Sequence, residues 1–282
     1  AAATNLADIA AMGARPTALV VALAAPLSTP LTVLEGIADG LREGCAALAP
    51  GSGVVGGDLS ASDTLTLALT VFGDLDGRDP VTRSGARVGD TLAVAGDLGR
   101  AGAGLALLFR DGVDADRTPD SGRAGRLRAA FPELLEAQLR PRPPIRAGVP
   151  ASLGGATAML DVSDGLLLDA RRIAEASGVT LDISSAALEP DTALLARPAL
   201  GFDADRRMRL VLAGGEDHAL LATFPPGPLP EGFRPLGRVR PAAQPGAAAG
   251  AAVAVSGVTL DGDPVDGRTG WDPFDDWDGL AG

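Results

Sequence analysis

One short segment near the start of the chain restricts the possible folds more than any other. Residues 18–25 are continuously apolar, and Pro16 and Pro26 close the segment at its two ends. A run of this length is too short to cross a membrane, and it fits a buried β-strand. The next apolar residues recur at a spacing of three or four, as on one face of a helix: Leu34, Ile37, Leu41 and Cys45. A strand followed by an amphipathic helix predicts a mixed α/β chain.

The rest of the chain continues this mixture of patterns. Apolar and polar side chains alternate in residues 64–72, which is typical of a strand with two different faces. Further strands are predicted at 54–55, 91–95, 159–162, 180–183, 218–224, 234–239 and 251–255. Helices are predicted at 5–12, 105–109, 123–139 and 164–176. A further helix is predicted to start after Thr29, which is its expected N-cap. The turn-rich stretch 73–80 divides an N-terminal α/β domain, residues 1–79, from a larger C-terminal α/β domain, residues 80–282.

The composition excludes several kinds of chemistry. All 24 basic residues are arginine, so the chain has no Walker A lysine, no Schiff base and no lysine general base. The single cysteine, Cys45, and the single histidine, His218, cannot form an internal disulfide or a Cys/His zinc site. The net charge of -12 argues against a nucleic-acid partner. We therefore expect a cytoplasmic protein that binds neither nucleic acid nor membranes.

Acidic residues beside glycines recur along the chain and indicate how an acidic protein could handle phosphates. They form four groups: Asp8, Gly56-Gly57-Asp58, Asp161-Val162-Ser163-Asp164-Gly165 and Gly214-Gly215-Glu216-Asp217. Carboxylate oxygens suit Mg²⁺, and glycine lets a phosphate approach the backbone closely. We predict that these segments are loops that hold Mg²⁺ and phosphate together.

The segment around Asp161 makes the most specific geometric prediction. A strand leads directly into a helix, so Asp161 and Ser163 project to one side and the helix N-terminus faces the same crevice. Asp164 could instead be a plain N-cap of that helix. A purely structural role explains Asp161 less well than Asp164, because a carboxylate inside a buried strand needs a partner.

Three other features have competing interpretations. The glycine-rich residues 96–104 suggest a dinucleotide-binding loop, but their order departs from G-x-G-x-x-G. His218 reads as an ordinary polar side chain at the start of a strand. Trp271 is either a hydrophobic latch for the C-terminal segment or an aromatic platform for a flat ligand ring.

Six ordered motifs resemble those of the thiamine-monophosphate kinase family. They span most of the chain: residues 5–16, 56–58, 82–86, 161–166, 214–217 and 270–274. The resemblance implies the aminoimidazole ribonucleotide synthetase-like fold, with an N-terminal domain that dimerises through its sheet and a larger C-terminal domain. It also implies the reaction, the ATP-dependent phosphorylation of thiamine monophosphate to thiamine diphosphate with Mg²⁺, and a homodimer.

The resemblance further implies roles for individual residues. The positions that match the family's magnesium ligands are Asp8, Asp58, Asp161 and Asp164. Those that match its ATP contacts are Gly57, Asp58, Arg83 and Ser163. Those that match its contacts with the thiamine moiety are Glu216 and Trp271. Among these residues we expect Asp58 and Asp161 to be catalytic.

The chain also departs from the family pattern. An upstream Gly-Asp-Asp motif and the acidic segment after it have no counterpart, because the sequence starts downstream of them. His218 and Ala219 stand where the family tends to tyrosine and glutamate. Two alternatives therefore stay open. One is another ATP-using enzyme of the superfamily, such as a selenophosphate synthetase, for which a reactive cysteine or lysine is expected. The other is a catalytically silent nucleotide-binding homologue.

Overall fold

The computed structural model describes residues 1–242, 257–265 and 270–271, and the strands in this part of the chain form two sheets. The first sheet contains β1 (Arg15–Ala25), β2 (Val54–Ala61) and β3 (Thr66–Asp74). The second contains β4 (Thr91–Ala95), β5 (Ala158–Val162), β6 (Val179–Ile183), β7 (Ala219–Phe224), β8 (Phe233–Pro241), β9 (Gly257–Leu260) and β10 (Asp263–Pro264). The α-helices are α1 (Ala2–Ala11), α2 (Leu31–Leu48), α3 (Arg100–Asp111), α4 (Ser121–Ala130), α5 (Pro132–Leu139), α6 (Gly148–Leu153), α7 (Leu166–Ser177), α8 (Glu189–Leu194) and α9 (Ala204–Ala213).

The two sheets differ in size and in strand direction. The small sheet has the order β2-β1-β3, with β1 parallel to β2 and antiparallel to β3. The large sheet has the order β10-β9-β6-β8-β4-β7-β5, and only the β6/β9 pair in it is parallel. The mixed α/β architecture expected from the sequence is therefore confirmed.

The large sheet carries a hydrophobic core on each of its faces. Leu92 and Val94 of β4 pack on the side that also receives helices α3, α5 and α7. Ala93 and Ala95 pack on the opposite side, together with residues of α1 and Leu19 of β1. Consecutive strand side chains point to opposite faces, so one strand supplies both cores. As a result α1, which lies far from β4 in the sequence, is part of the large sheet's packing.

Most of the predicted elements are present, with one helix divided in two. The predicted strand at 91–95 coincides with β4. The predicted helix at 123–139 is wrong, because α4 ends before Phe131 and α5 starts at Pro132. Phe131 has φ -135 and ψ 56, outside the helical region. Proline lacks the N–H that a helix interior needs and disfavours helical torsions in the preceding residue.

Two acidic motifs expected in loops lie in regular structure instead. Asp8 belongs to α1, and the Gly56-Gly57-Asp58 motif is inside β2. Gly57 faces Val21 of β1, and a Cβ at position 57 would collide with the Val21 carbonyl oxygen. The glycine is therefore explained by close strand pairing.

The start of α2 also differs from its prediction. Helix α2 begins at Leu31 with Pro30 as its N-cap, so Thr29 is not the cap. The predicted strand at 251–255 lies outside the described residues. The two sheets separate between β3 and β4, and the domain division at 79/80 stays a prediction. Within the described part of the chain, no helix combines the length and apolar character that a membrane span requires.

Candidate active site

Two loops meet where β5 ends and β7 begins, and they hold three of the predicted site residues, Ser163, Asp164 and Glu216. Val162 and Ala219 are register partners at this end of the sheet. The backbone N–H of His218 donates to the Val162 carbonyl at 2.9 Å, and that of Glu216 donates to the Ser163 carbonyl at 2.8 Å. The Asp161 and Glu216 motifs, which lie 55 positions apart in the sequence numbering, are therefore joined by main-chain hydrogen bonds.

Helix α1 brings a second carboxylate to Asp161. Asp161 is 8% exposed near the end of β5, and the carboxyl group of Asp8 lies close enough for the charge of Asp161 to act on it. Burial, and then the charge of Asp161, raise the pKa of Asp8 to about 6, while His218 and Arg83 act in the opposite direction. Arg83, expected to contact ATP, is thus close enough to influence this pair of carboxylates.

His218 is the residue at the site whose importance the sequence analysis missed. Its side chain is fully buried, with Nδ1 3.0 Å from Oδ2 of Asp161. Nε2 lies 3.3 Å from Oγ1 of Thr4 and 3.6 Å from Oε2 of Glu216. Burial lowers the pKa of His218, but the hydrogen bond with Asp161 and the ion pair with Glu216 outweigh it and raise the pKa to about 9. A signal was available in the sequence, since Glu216 and His218 stand two residues apart beside a strand.

Asp164 is held by an ion pair and does not cap α7. Its Oδ2 lies 2.7 Å from a guanidinium nitrogen of Arg172, and Gly165 occupies the N-cap position. The Asp169 carboxylate accepts the backbone N–H groups of Asp164 and Gly165 and also pairs with Arg172. The plain N-cap interpretation of Asp164 is therefore wrong, and Asp169 already occupies two donors at the helix end that we expected to face an anion.

Asp217 fills the other helix end in this region. Its carboxylate accepts the backbone N–H of Gly99 at 2.5 Å and that of Ala101 at 2.8 Å, at the start of α3. Burial raises the pKa of Asp217 to about 7, although these two hydrogen bonds lower it. Because a protein carboxylate occupies these donors, the glycine-rich residues 96–104 do not present them to a dinucleotide phosphate.

Trp271 reaches the site through its backbone. Its N–H donates to the Asp164 carbonyl at 2.8 Å, and the residue is 61% exposed. Gly270 beside it is so close to the Asp164 carbonyl that a Cβ would collide with that oxygen. The segment therefore lies against the β5–α7 loop with a large aromatic surface toward solvent. Residues 272–274 of this motif lie outside the described residues.

Asp58 is not joined to the Asp8–Asp161 pair. It is exposed on β2, and its carboxylate accepts a hydrogen bond from Ser60 at 2.5 Å. With Gly57 it lines an apolar groove of about 640 Å³ between β2 and α2. Within residues 1–242, 257–265 and 270–271, Asp58 makes no hydrogen bond or ion pair with the other predicted site residues.

The donor chemistry of the carboxylate pair fits Mg²⁺. The carboxylates of Asp8 and Asp161 lie close together and repel each other, and a cation between them would relieve that repulsion. In the described part of the chain, no three His, Cys, Asp or Glu side chains converge into a complete metal site. Mg²⁺ commonly takes one or two carboxylates and completes its shell with water and substrate phosphates. The pair therefore suits an ion that arrives with a phosphate ligand.

The chain is similar to known proteins in sequence and in fold. A family model described as AIR synthase related protein, N-terminal domain, matches residues 1–75. The thiamine-monophosphate kinase of Mycobacterium tuberculosis strain H37Rv is 43% identical over 272 residues, which cover 96% of this chain and 72% of that protein.

Two solved structures are also similar. Thiamine monophosphate kinase from Aquifex aeolicus aligns with a TM-score of 0.74 and 27% identity over 94% of this chain and 80% of that one. A structure described as AaThiL complexed with AMPPCP and TMP aligns with a TM-score of 0.73 and 28% identity over 96% and 77%. The chain therefore belongs to the thiamine-monophosphate kinase family.

Proposed function

We propose that this chain transfers the terminal phosphoryl group of ATP to the phosphate of thiamine monophosphate, forming ADP and thiamine diphosphate. The observation that carries the proposal is the meeting of Asp8 and Asp161 at a sheet end that also holds Glu216 and Trp271. Carboxylates suited to a phosphate-bound cation thus lie beside residues suited to a cationic ring.

The acceptor requires no general base from the protein. The second pKa of a phosphate monoester is about 6, so the acceptor oxygen is already anionic near neutral pH. It forms the new P–O bond as the bond to the bridging oxygen of ADP breaks, and no proton has to be removed first. A chain without lysine, and with its one histidine buried, can carry out this reaction.

The main task of the protein is to bring together two polyanions. Asp8 and Asp161 are the residues we propose for Mg²⁺, with Asp58 and Asp164 as further ligands. When bound, Mg²⁺ neutralises charge on the transferred group and its neighbours. Asp164 would bind it only by sharing or releasing Arg172, which now lies 2.7 Å away.

The two substrates are assigned to different parts of the site. For ATP we propose Gly57, Asp58, Arg83 and Ser163. For the thiamine moiety we propose Glu216 and Trp271. The neighbouring His218 lowers the pKa of Glu216, which keeps this carboxylate charged toward a cationic ligand. The exposed indole of Trp271 offers a face on which a cationic heterocycle can stack.

A homodimer and a cytoplasmic location belong to the same proposal. The exposed apolar side chains of β2, Val54, Val55 and Leu59, support an interface along this strand. The buried free thiol of Cys45 is compatible with a reducing compartment.

The test is conversion of thiamine monophosphate by the full chain with Mg-ATP, followed by chromatography of thiamine diphosphate. Asp161→Asn is the informative variant, and Asp39→Asn, which changes an exposed carboxylate on α2, is the charge-matched control. Product that disappears with Asp161→Asn and persists with Asp39→Asn supports the proposal. Thermal stabilisation by ATP without product would favour the catalytically silent homologue instead.

A further inference from the structure

We propose that His218 is a positioning residue that fixes Asp161 and Glu216 relative to each other, so that one imidazole joins the phosphoryl-transfer side of the site to the thiamine side. The inference rests on the proposed function. It concerns a residue that the sequence analysis treated as ordinary and that no role above includes.

The contacts of His218 connect three separate parts of the chain. Nδ1 lies 3.0 Å from Oδ2 of Asp161 on β5, and because an ionised carboxylate only accepts, Nδ1 is the donor. Nε2 lies 3.3 Å from Oγ1 of Thr4 on α1 and 3.6 Å from Oε2 of Glu216 in the loop before β7. No part of the imidazole is exposed, so water cannot replace these partners.

The backbone around His218 is held in an uncommon conformation. Glu216 and His218 have φ values of 69 and 53, in the left-handed region that residues with a Cβ rarely adopt. Hydrogen bonds from their N–H groups to Ser163 and Val162 maintain this path. Such torsions persist where the surrounding structure over-determines them. The result is that both side chains of this short segment reach the neighbourhood of Asp161.

The two imidazole nitrogens contact different carboxylates, so the loss of each contact should affect function in a different way. The Nδ1 contact uses Oδ2 of Asp161 and leaves Oδ1 for another ligand. The Nε2 contact instead restrains Glu216, whose side chain is 56% exposed. Loss of the first contact should disturb phosphoryl transfer, and loss of the second should disturb binding of thiamine monophosphate.

The contacts themselves can be measured independently of activity. His218 is the only histidine, so protein labelled with ¹⁵N-histidine gives one imidazole signal set that needs no further assignment. We expect Asp161→Asn to shift the Nδ1 resonance and Glu216→Gln to shift Nε2. Thr223→Val is the control, because Thr223 is equally buried at the opposite end of β7 and bonds to Thr157 at 2.7 Å. If neither acidic variant changes the imidazole more than this control, the inference is overturned.

Two substitutions then separate the nitrogen atoms. In His218→Asn the amide nitrogen takes the place of Nδ1, and in His218→Gln it takes the place of Nε2. We expect His218→Asn to raise KM for thiamine monophosphate about tenfold with kcat within about twofold of the parent. We expect His218→Gln to lower kcat about tenfold with KM within about twofold. In a calorimetric titration without turnover, thiamine monophosphate should bind more weakly to His218→Asn than to His218→Gln.

The outcomes distinguish this inference from the proposed function. An active parent with kcat and KM changing alike in both variants, in proportion to lost stability as in Thr223→Val, overturns the positioning role alone. A parent that neither converts nor binds thiamine monophosphate overturns the proposed function and this inference with it. The positioning role is supported if His218→Asn changes mainly KM and His218→Gln changes mainly kcat, because a general loss of packing would not separate kcat from KM.

Discussion

The carboxylate of Asp217 accepts the backbone N–H of Ala101 at 2.8 Å, although the two residues are 116 positions apart. The contact ties the loop that carries Glu216 and His218 to the first turn of α3. It also explains why a glycine-rich segment that follows a strand and opens a helix does not present a free phosphate site. The protein supplies its own anion at that position.

The Asp217 contact predicts a large effect on stability. Asp217→Ala should lower the free energy of unfolding by about 2 kcal/mol, because it removes the cap and leaves the buried N–H groups of Gly99 and Ala101 unpaired. Asp217→Asn should cost less, since its amide oxygen can still accept one of the two. Urea denaturation measures both, with the exposed Asp97→Asn as a charge-matched control. Equal stability of Asp217→Ala and the control would contradict the capping role.

The carboxylate pair of Asp8 and Asp161 predicts that a substitution at Asp8 lowers activity without lowering stability. Asp8→Asn should lower kcat at least about 100-fold if the pair holds the catalytic cation. The same change removes a repulsive charge next to Asp161, so the free energy of unfolding should stay the same or rise by less than about 1 kcal/mol. Steady-state kinetics and urea denaturation on one preparation test this. A variant that loses activity only in step with stability would count against a metal-binding role.

The same pair predicts how Mg²⁺ affects the protein. Two carboxylates are an incomplete shell, so Mg²⁺ alone should shift Tm by less than about 1 °C, and Mg²⁺ with ATP should shift it several times more. Differential scanning fluorimetry with Mg²⁺, ATP and both together makes the comparison. A large shift with Mg²⁺ alone would mean that the protein provides a more complete cage than Asp8 and Asp161.

Trp271 is expected to act in substrate binding. Trp271→Ala should raise KM for thiamine monophosphate about tenfold and leave KM for ATP within about twofold, because only the cationic heterocycle stacks on the indole. Trp271→Phe should recover part of the loss. Phe109→Ala, an exposed aromatic on α3, is the control. If the alanine variant raises both KM values alike, the stacking assignment is wrong.

The raised pKa of His218 predicts that stability falls with increasing pH. Burial lowers this pKa, but the hydrogen bond to Asp161 and the ion pair with Glu216 raise it to about 9, against an ordinary value of 6.5. Between these two values the folded state binds more protons than the unfolded state. The stabilisation is therefore complete below about pH 6.5 and is lost as pH rises toward about 9.

His218→Asn removes this titration and should flatten that loss. Urea denaturation of the metal-free protein at about pH 7.5 and about pH 9 tests it. This range lies above the pKa values of Asp8 and Asp169, both raised to about 6, mainly by burial. Parallel slopes for the parent and the variant would show that His218 does not retain its proton in the folded state.

Local sequence patterns were sufficient for most of the elements and for grouping some of the candidate site residues. Apolar periodicity correctly located β4 and β5, since strand geometry is a short-range property of alternating side chains. The passage from β5 into a loop also placed Asp161 beside Ser163 and Asp164. The same local rules failed at Phe131, where a proline overrode a helical pattern, and at Asp58, where a glycine-flanked acid belongs to a strand.

Only the tertiary structure decided which of these groups meet. Asp8 reaches Asp161 because α1 packs on the large sheet, and His218 becomes the centre of the site because packing removes it from water. Likewise, Asp217 closes a helix end 116 residues away. The sequence by itself determined the strands, the acidic motifs and the family resemblance, because these depend on residue types and short spacings. Partners, burial and altered pKa values arise from long-range packing and loss of solvent, which no local spacing encodes.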